Sequence, residues 1–294
     1  MRQSNTLTVL TGLVLVAAIA AAAVGLFWTE GPGPFSFATL HGQSVEMYGR
    51  GLYRFDTAFK APILRGTDAV LLFLGAPLLA AALWLYRRGS LRGGLVLAGV
   101  LLCFLYNGAS LILGAAYNAL YLDYLVYFSA SLYAFVLALT AIDLPALPSR
   151  ILARMPHRAL GVFIMIAGLS PCVWLISIIS AVLSGQPAPD GLAGYTTDVT
   201  TALDVGLITP ACFLAGVLLL RRKPMGYVLT AVLLTLLTLI GLVVVGQTAV
   251  QLADGVLLTP AEMAGFVAPF VTLGLLAIGF LIALLGHIND SLMS

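Results

Sequence analysis

The charged residues best suited to bind a ligand lie in one hydrophilic segment, residues 29–66. It contains Arg50 and Arg54, which in a helix would share one face with Glu46. Two guanidinium groups side by side can bind a phosphate or a carboxylate through paired hydrogen bonds. We therefore expect an interfacial helix whose arginines bind an anionic group. The alternative is a structural helix in which Glu46 and Asp56 neutralise the basic side chains.

A second set of polar residues recurs at helical spacing within an apolar run. Its members are Tyr106, Asn107, Ser110, Tyr117 and Asn118. Because polar groups are costly against lipid, this face is expected to point into the protein. Together with Arg50 and Arg54, these residues form the expected ligand-binding set, a cavity wall beneath the arginine segment. Hydrogen bonding between helices is the alternative explanation of the same pattern.

Four acidic residues stand where long apolar runs begin. They are Asp68, Asp123, Asp204 and Glu262. Helix N-termini favour acids, and Thr259 followed by Pro260 and Glu262 has the pattern of a capping box. We expect all four to be helix-start acids, and the alternative is an acidic rim that attracts cations or protons. No ionisable side chain is expected at the middle of a span, which argues against an ion-coupled transporter.

The histidines and cysteines are not arranged for metal or redox chemistry. The histidines fall on opposite sides of the predicted bundle, and the cysteines lie in separate apolar runs without a CxxC pair. They are His41, His157 and His287, and Cys103, Cys172 and Cys212. The sequence therefore implies no catalytic residue, no metal and no cofactor.

Composition identifies the environment in which these residues act. Of 294 residues, 61% are hydrophobic and only 9% are charged, against about 25% charged in an ordinary soluble domain. Such a chain cannot cover a water-exposed globule, which excludes a soluble enzyme and a nucleic-acid binder. The net charge of +2 gives no reason to expect polyanionic partners. The sequence indicates an integral membrane protein in contact with the lipid bilayer.

Eight apolar runs reach the length of about 20 residues that a spanning helix needs. They cover approximately residues 7–28, 67–86, 95–117, 121–141, 159–183, 202–220, 226–248 and 264–286. They are too long and too uniformly apolar for the strands of a membrane barrel. The predicted fold class is all-α, a polytopic helical bundle that forms a single transmembrane domain over residues 1–294 with an external loop at 29–66.

The basic residues predict the orientation of the bundle. With the N-terminus inside, ten of the fourteen fall on the cytoplasmic side, and the remaining four lie in the loop 29–66. By the positive-inside rule, both termini are cytoplasmic. The first apolar run is long for a cleaved signal peptide, so we expect it to be retained as a helix.

The two halves of the sequence resemble each other. Asp68 begins an apolar run that ends at an arginine pair, and Asp204 begins another. A glycine-containing turn and a further span follow each of them. This predicts a parallel repeat of four plus four helices, with halves at 1–142 and 159–294. Chance similarity between alternating apolar and basic stretches is the alternative.

Two stretches of the chain carry a resemblance to known sequences. They are residues 47–56 (MYGRGLYRFD) running on to 65–68 (RGTD), and residues 200–207 (TTALDVGL) running on to 220–227 (LRRKPMGY). The chain resembles an uncharacterised bacterial family of eight-helix, multi-pass membrane proteins. The resemblance spans the first loop to the seventh helix. It implies a bacterial cytoplasmic membrane, and no activity or cofactor.

The leading functional hypothesis is binding or translocation of a small amphipathic or anionic molecule, such as a lipid, from the extracytoplasmic side. A non-catalytic scaffold or assembly subunit is one alternative, in which small residues of the first helix pack against a partner protein or a second copy. A lipid-modifying enzyme at the outer leaflet is another, with acid–base chemistry from Asp56, Asp68 or His41.

Overall fold

The computed structural model describes residues 2–40 and 42–290, the side chain of Asp190 excepted. Eight helices in these ranges are long and apolar enough to cross a membrane. They are α1 (Asn5–Phe27), α2 (Lys60–Arg87), α3 (Leu91–Gly114), α4 (Tyr121–Thr140), α5 (His157–Ser184), α6 (Val199–Leu220), α7 (Pro224–Ala253) and α8 (Pro260–Gly286). The predicted all-α helical bundle is confirmed. The N–H group of Arg2 donates to the Ala141 carbonyl at the end of α4, and the Asp290 carboxylate accepts from the N–H group of Leu91 at the start of α3. Both described ends therefore lie on the same face of the bundle.

The centre of the bundle is formed by α3 and α7, the two most deeply buried helices. They pack against each other; α2 and α4 pack against α3, while α2, α6 and α8 pack against α7. Gly241 of α7 and Gly274 of α8 allow a close approach, because a Cβ atom on either would lie 2.7 Å from the Cα of the other. Neighbouring helices pack in the same order in both halves, in keeping with the predicted repeat, which stays a prediction.

Three helices widen into a π turn that ends two residues before a proline. The π turns are Leu71–Gly75 in α2, Asp204–Ile208 in α6 and Met263–Val267 in α8, followed by Pro77, Pro210 and Pro269. Proline lacks the N–H group that the carbonyl four residues earlier would accept, and its ring crowds that carbonyl. In each helix this carbonyl lies within the π turn. The wider turn accommodates the ring, so the helix continues instead of ending.

Helix α5 is interrupted at a proline within it. Pro171 lies in a 3₁₀ segment, Ser170–Trp174, that separates the inner part of the helix (His157–Ala167) from the outer part (Leu175–Ser184). The outer part contributes a single buried residue, Ala181. The break therefore leaves the outer end of α5 largely outside the packed bundle.

The prediction of helix-start acids is confirmed for two residues and wrong for two. Asp123 lies in the first turn of α4, and Glu262 forms the expected capping box with Thr259. Asp68 and Asp204 instead lie inside α2 and α6, which begin earlier than their apolar runs. Polar residues could extend both helices outward because other parts of the protein, rather than lipid, cover them.

The external loop is a β-hairpin and not the expected helix. Strands β1 (Phe35–Ala38) and β2 (Ser44–Met47) pair antiparallel, which places Glu46 on a strand. Gly49 and Gly51 follow with φ of +71° and +56°, a left-handed conformation that ends regular structure at this point. The shared helical face of Glu46, Arg50 and Arg54 therefore does not form.

The small residues of α1 are used within the chain. Ala17, Ala18, Ala21 and Ala22 are all buried, and α1 packs mainly against α4 and α2. Helices of the same chain therefore cover these four alanines, and packing of α1 against a partner protein stays a prediction.

Candidate functional site

A cavity of about 470 Å³ lies on the face of the bundle that bears the hairpin. We call it the outer cavity. The hairpin, the end of α3 and the loop before α6 form its walls. Phe35, Phe37 and Phe55 supply aromatic surface, and Thr57 and Tyr195 supply hydroxyl groups. The cavity is therefore amphipathic, with both aromatic and hydroxyl groups in its lining.

A carboxyl group and an ammonium group lie directly behind the polar wall of this cavity. One oxygen of Asp56, Oδ1, accepts hydrogen bonds from the Tyr195 hydroxyl at 2.8 Å and the Ala116 N–H at 3.0 Å. The other oxygen, Oδ2, is buried and has no hydrogen-bond partner within residues 2–40 and 42–290. Lys60 Nζ donates to the Gly114 carbonyl at 2.7 Å and lies 3.7 Å from the centre of the Tyr195 ring.

Burial governs the protonation of Asp56. Loss of water raises the pKa of this carboxyl, while the Ala116 N–H, the Tyr195 hydroxyl and the Lys60 charge lower it to a smaller extent. Burial likewise raises the pKa of Tyr195, which keeps its hydroxyl protonated as a donor. Asp56 is thus a carboxyl group that keeps its proton to a higher pH than an exposed one.

The first carboxyl inside a helix, Asp68 of α2, is enclosed by residues from the first half of the chain. The Tyr53 hydroxyl donates to Asp68 Oδ2 at 2.7 Å, and both side chains are buried. A Cβ atom on Gly25 of α1 would collide with Asp68 Oδ2 and approach the Tyr53 ring at 2.9 Å. Burial raises the pKa of Tyr53, so this hydroxyl remains a donor. Glycine at position 25 is what lets α1 close over the carboxyl.

The second in-helix carboxyl, Asp204 of α6, lies where several helices meet. Tyr106 of α3 donates to Oδ1 at 2.8 Å, and the indole N–H of Trp174 in α5 donates to Oδ2 at 3.0 Å. Trp174 stacks against Phe266 and Phe270 of α8, with ring centres 5.5 and 5.6 Å away. The 3₁₀ break in α5 positions Trp174 for this contact.

The predicted polar stripe does not form one wall. Tyr106 binds Asp204, Asn107 donates to the Tyr127 hydroxyl at 3.3 Å, and Ser110 donates to the Tyr106 carbonyl. Tyr117 is exposed beside Tyr121, and Asn118 donates to Ala116 and Tyr124. None of the five lines the outer cavity. Most of them hold helices and turns together, which is the alternative that the sequence left open.

The two arginines of the expected ligand site are exposed. Arg54 lies over the Phe55 ring at 4.5 Å, and no hydrogen bond or ion pair within the described ranges joins Arg50 or Arg54 to the polar stripe. The arginine of this segment that binds within the protein is Arg65, which pairs with Asp254 at 2.8 Å and donates to Tyr48. The structure therefore does not assemble the arginines and the stripe into one site.

The residues proposed for acid–base catalysis are not brought together either. The side chains of Asp56 and Asp68 share no hydrogen-bond partner within residues 2–40 and 42–290, and His41 lies outside these ranges. His157 forms a hydrogen bond with Tyr227, and His287 with the Ala283 carbonyl, both on the opposite face of the bundle. Cys103 and Cys212 are buried, as expected of small core residues.

Asp56, Lys60 and Tyr195 were not recognised from the sequence as one group. Tyr195 lies 139 positions from Asp56 in a loop without any motif. The only sequence signal was the i, i+4 spacing of Asp56 and Lys60, within a segment otherwise rich in aromatic residues.

The fold defines a multi-pass helical membrane protein. No known protein family, curated protein or solved structure matches the chain. Its function must therefore be argued from its own residues.

Proposed function

We propose that the protein binds a small amphipathic molecule, such as a lipid, in the outer cavity. The observation that carries this proposal is an aromatic-walled cavity with a carboxyl and an ammonium group behind its polar side. Its volume of about 470 Å³ falls within the roughly 300–1,000 Å³ of typical small-molecule sites.

The two parts of the cavity suit the two parts of such a ligand. Phe35, Phe37 and Phe55 can cover an apolar body and remove it from water. Lys60, behind the polar wall, can attract an anionic or polar head by its charge, and the hydroxyl groups of Thr57 and Tyr195 line the cavity itself. In this proposal Lys60, rather than Arg50 and Arg54, supplies the positive charge.

The side of the membrane follows from the distribution of basic residues. The turns at the other face carry the arginine clusters at Arg87, Arg150 and Arg221, which the positive-inside rule assigns to the cytoplasm. The outer cavity would then face the extracytoplasmic side, and the resemblance to a bacterial family favours the cytoplasmic membrane of a bacterium. Binding there suits uptake, transport or sensing of a molecule from the outer leaflet.

Native mass spectrometry of the protein, extracted gently from its own membrane, tests the proposal. Ala115 lines the outer cavity, so Ala115→Phe fills it. Ala119 lies in the same loop, is exposed and does not line the cavity, so Ala119→Phe is a matched control. The Arg50→Ala, Arg54→Ala double variant tests the earlier arginine hypothesis.

We expect a discrete added mass on the wild-type chain that Ala115→Phe loses. Ala119→Phe and the double arginine variant should both retain it. A bare wild-type chain, or an added mass that Ala115→Phe keeps, would contradict the proposal. An added mass the size of a protein would favour the scaffold alternative instead.

A further inference from the structure

Asp204 is a buried carboxyl group that does not line the outer cavity. It is buried inside a membrane-spanning helix, and both of its oxygens accept hydrogen bonds from neutral donors, Tyr106 and Trp174. No basic side chain within the described ranges forms an ion pair with it. A permanently charged carboxylate without a cation is costly in such a place, and intramembrane carboxyls commonly mark ion or proton sites.

The local backbone places two irregular turns beside Asp204. Asp204 is the first residue of the π turn of α6, and its donor Trp174 lies in the 3₁₀ break of α5. Irregular turns of this kind inside helices occur frequently at functional sites. Two separate departures from regular helix thus converge on one carboxyl group.

We propose that Asp204 is a proton-binding site. The carboxyl group holds a proton when neutral and releases it to water when it ionises. The hydrogen bonds from Tyr106 and Trp174 then stabilise the carboxylate that remains. The proposal is independent of what the outer cavity binds.

The other titratable groups around Asp204 are few. Tyr106 and, behind it, Cys103 face it from α3, and Cys172 lies near Trp174 in α5. Asp198, which is exposed, caps the start of α6 and repels the charge on Asp204. Cys212 of α6 packs against Gly168 of α5. Asp198 is therefore the main group whose titration must be separated from that of Asp204.

Trp174 provides a fluorescent reporter of the protonation of Asp204. The chain has three tryptophans, so the Trp28→Phe, Trp84→Phe variant leaves Trp174 alone. We would record its emission against pH for the full chain in lipid nanodiscs. We expect a single pH-dependent transition. In this background, Asp204→Asn should abolish the transition.

Matched variants separate the site from its surroundings. Asp68→Asn, which changes the buried carboxyl of the other half, and Asp198→Asn should both retain the transition. Tyr106→Phe should raise its midpoint, because it removes a donor that stabilises the carboxylate. This last variant tests the proposal even where Asp204→Asn fails to fold.

Two results would overturn the proposal. One is the absence of any transition in the reporter protein. The other is a transition that Asp204→Asn leaves in place or that Tyr106→Phe leaves unshifted, since either result would assign the transition to another group.

Discussion

The carboxyl groups of α2 and α6 occupy comparable places but have different surroundings. Asp68 lies just before the π turn of α2, and Asp204 begins the π turn of α6. Asp68 is covered by α1 through Gly25 and receives one hydrogen bond, from Tyr53. Asp204 receives two, and the outer part of the nearby α5 contributes one buried residue. One carboxyl is held by close packing and the other by hydrogen bonds.

This difference follows from how the outer helices pack in each half. In the first half α1 packs extensively against α4, while in the second half the corresponding pair, α5 and α8, makes far less contact. The aromatic stack of Trp174 on Phe266 and Phe270 bridges this pair instead. The comparison teaches that a similar helix pattern can enclose a carboxyl by close packing in one half and hold a carboxyl between helices by hydrogen bonds in the other.

The largest expected effect concerns the packing around Asp68. Gly25→Leu places a side chain against Asp68 and Tyr53, where there is no space, and overpacking of this kind costs about 1–3 kcal/mol or more. Gly12→Leu on the same helix meets nothing within 4 Å and should leave stability unchanged. Thermal unfolding in detergent measures both. Equal unfolding temperatures for the two variants would show that α1 does not close tightly over Asp68.

The second prediction compares the hydrogen-bond donors of Asp68 and Asp204. Tyr53→Phe removes the single donor of Asp68 and leaves a buried carboxyl unsatisfied, at a cost of about 1–3 kcal/mol. Tyr106→Phe leaves Asp204 with Trp174 as a donor, so its cost should be nearer ~1 kcal/mol. Chemical denaturation of both variants under the same conditions shows which one loses more free energy of unfolding. A larger loss for Tyr106→Phe would reverse the comparison.

Much of the architecture could be predicted from the sequence, because long apolar runs have few other uses. The number of spans followed from it. The true starts of α2 and α6 did not, since hydropathy marks where polar residues stop rather than where the helix hydrogen bonds begin. Lys60 belongs to α2 because protein, not lipid, surrounds it.

The candidate site was harder to predict for a different reason. The spacing of Glu46, Arg50 and Arg54 fits a helix, but Gly49 and Gly51 adopt left-handed conformations that a helix does not allow. The outer cavity depends on contacts between residues distant in the chain, such as Asp56 with Tyr195. Local periodicity contains no information about such pairs.

A smaller effect involves a third buried carboxyl, Asp56, outside the helices. Burial raises its pKa, so the folded state favours the protonated form. Stability should therefore fall as the pH rises from about 4, the value of a free aspartate, through the raised pKa, and then level off. Asp56→Asn should remove this part of the dependence. Unfolding temperatures of both proteins across this range provide the check, and identical pH profiles would argue against it.

The smallest expected effect distinguishes the arginines of the external segment. Arg65→Ala removes an ion pair and a hydrogen bond to Tyr48, both partly exposed, and should cost up to about 1 kcal/mol. Arg50→Ala and Arg54→Ala should change stability by less than about 0.5 kcal/mol. Chemical denaturation of the three variants tests this order. A substantial loss for Arg50→Ala would indicate a contact that the exposed position does not provide.

The outer cavity is the centre of the functional account, and its contents can be observed directly. The measurement is a cryo-electron microscopy map of the full chain in nanodiscs prepared from its own membrane lipids. We expect elongated density, not belonging to the chain, between Phe37, Ala115 and Tyr195, with its polar end toward Lys60. A cavity filled by side chains or only by water would contradict the account.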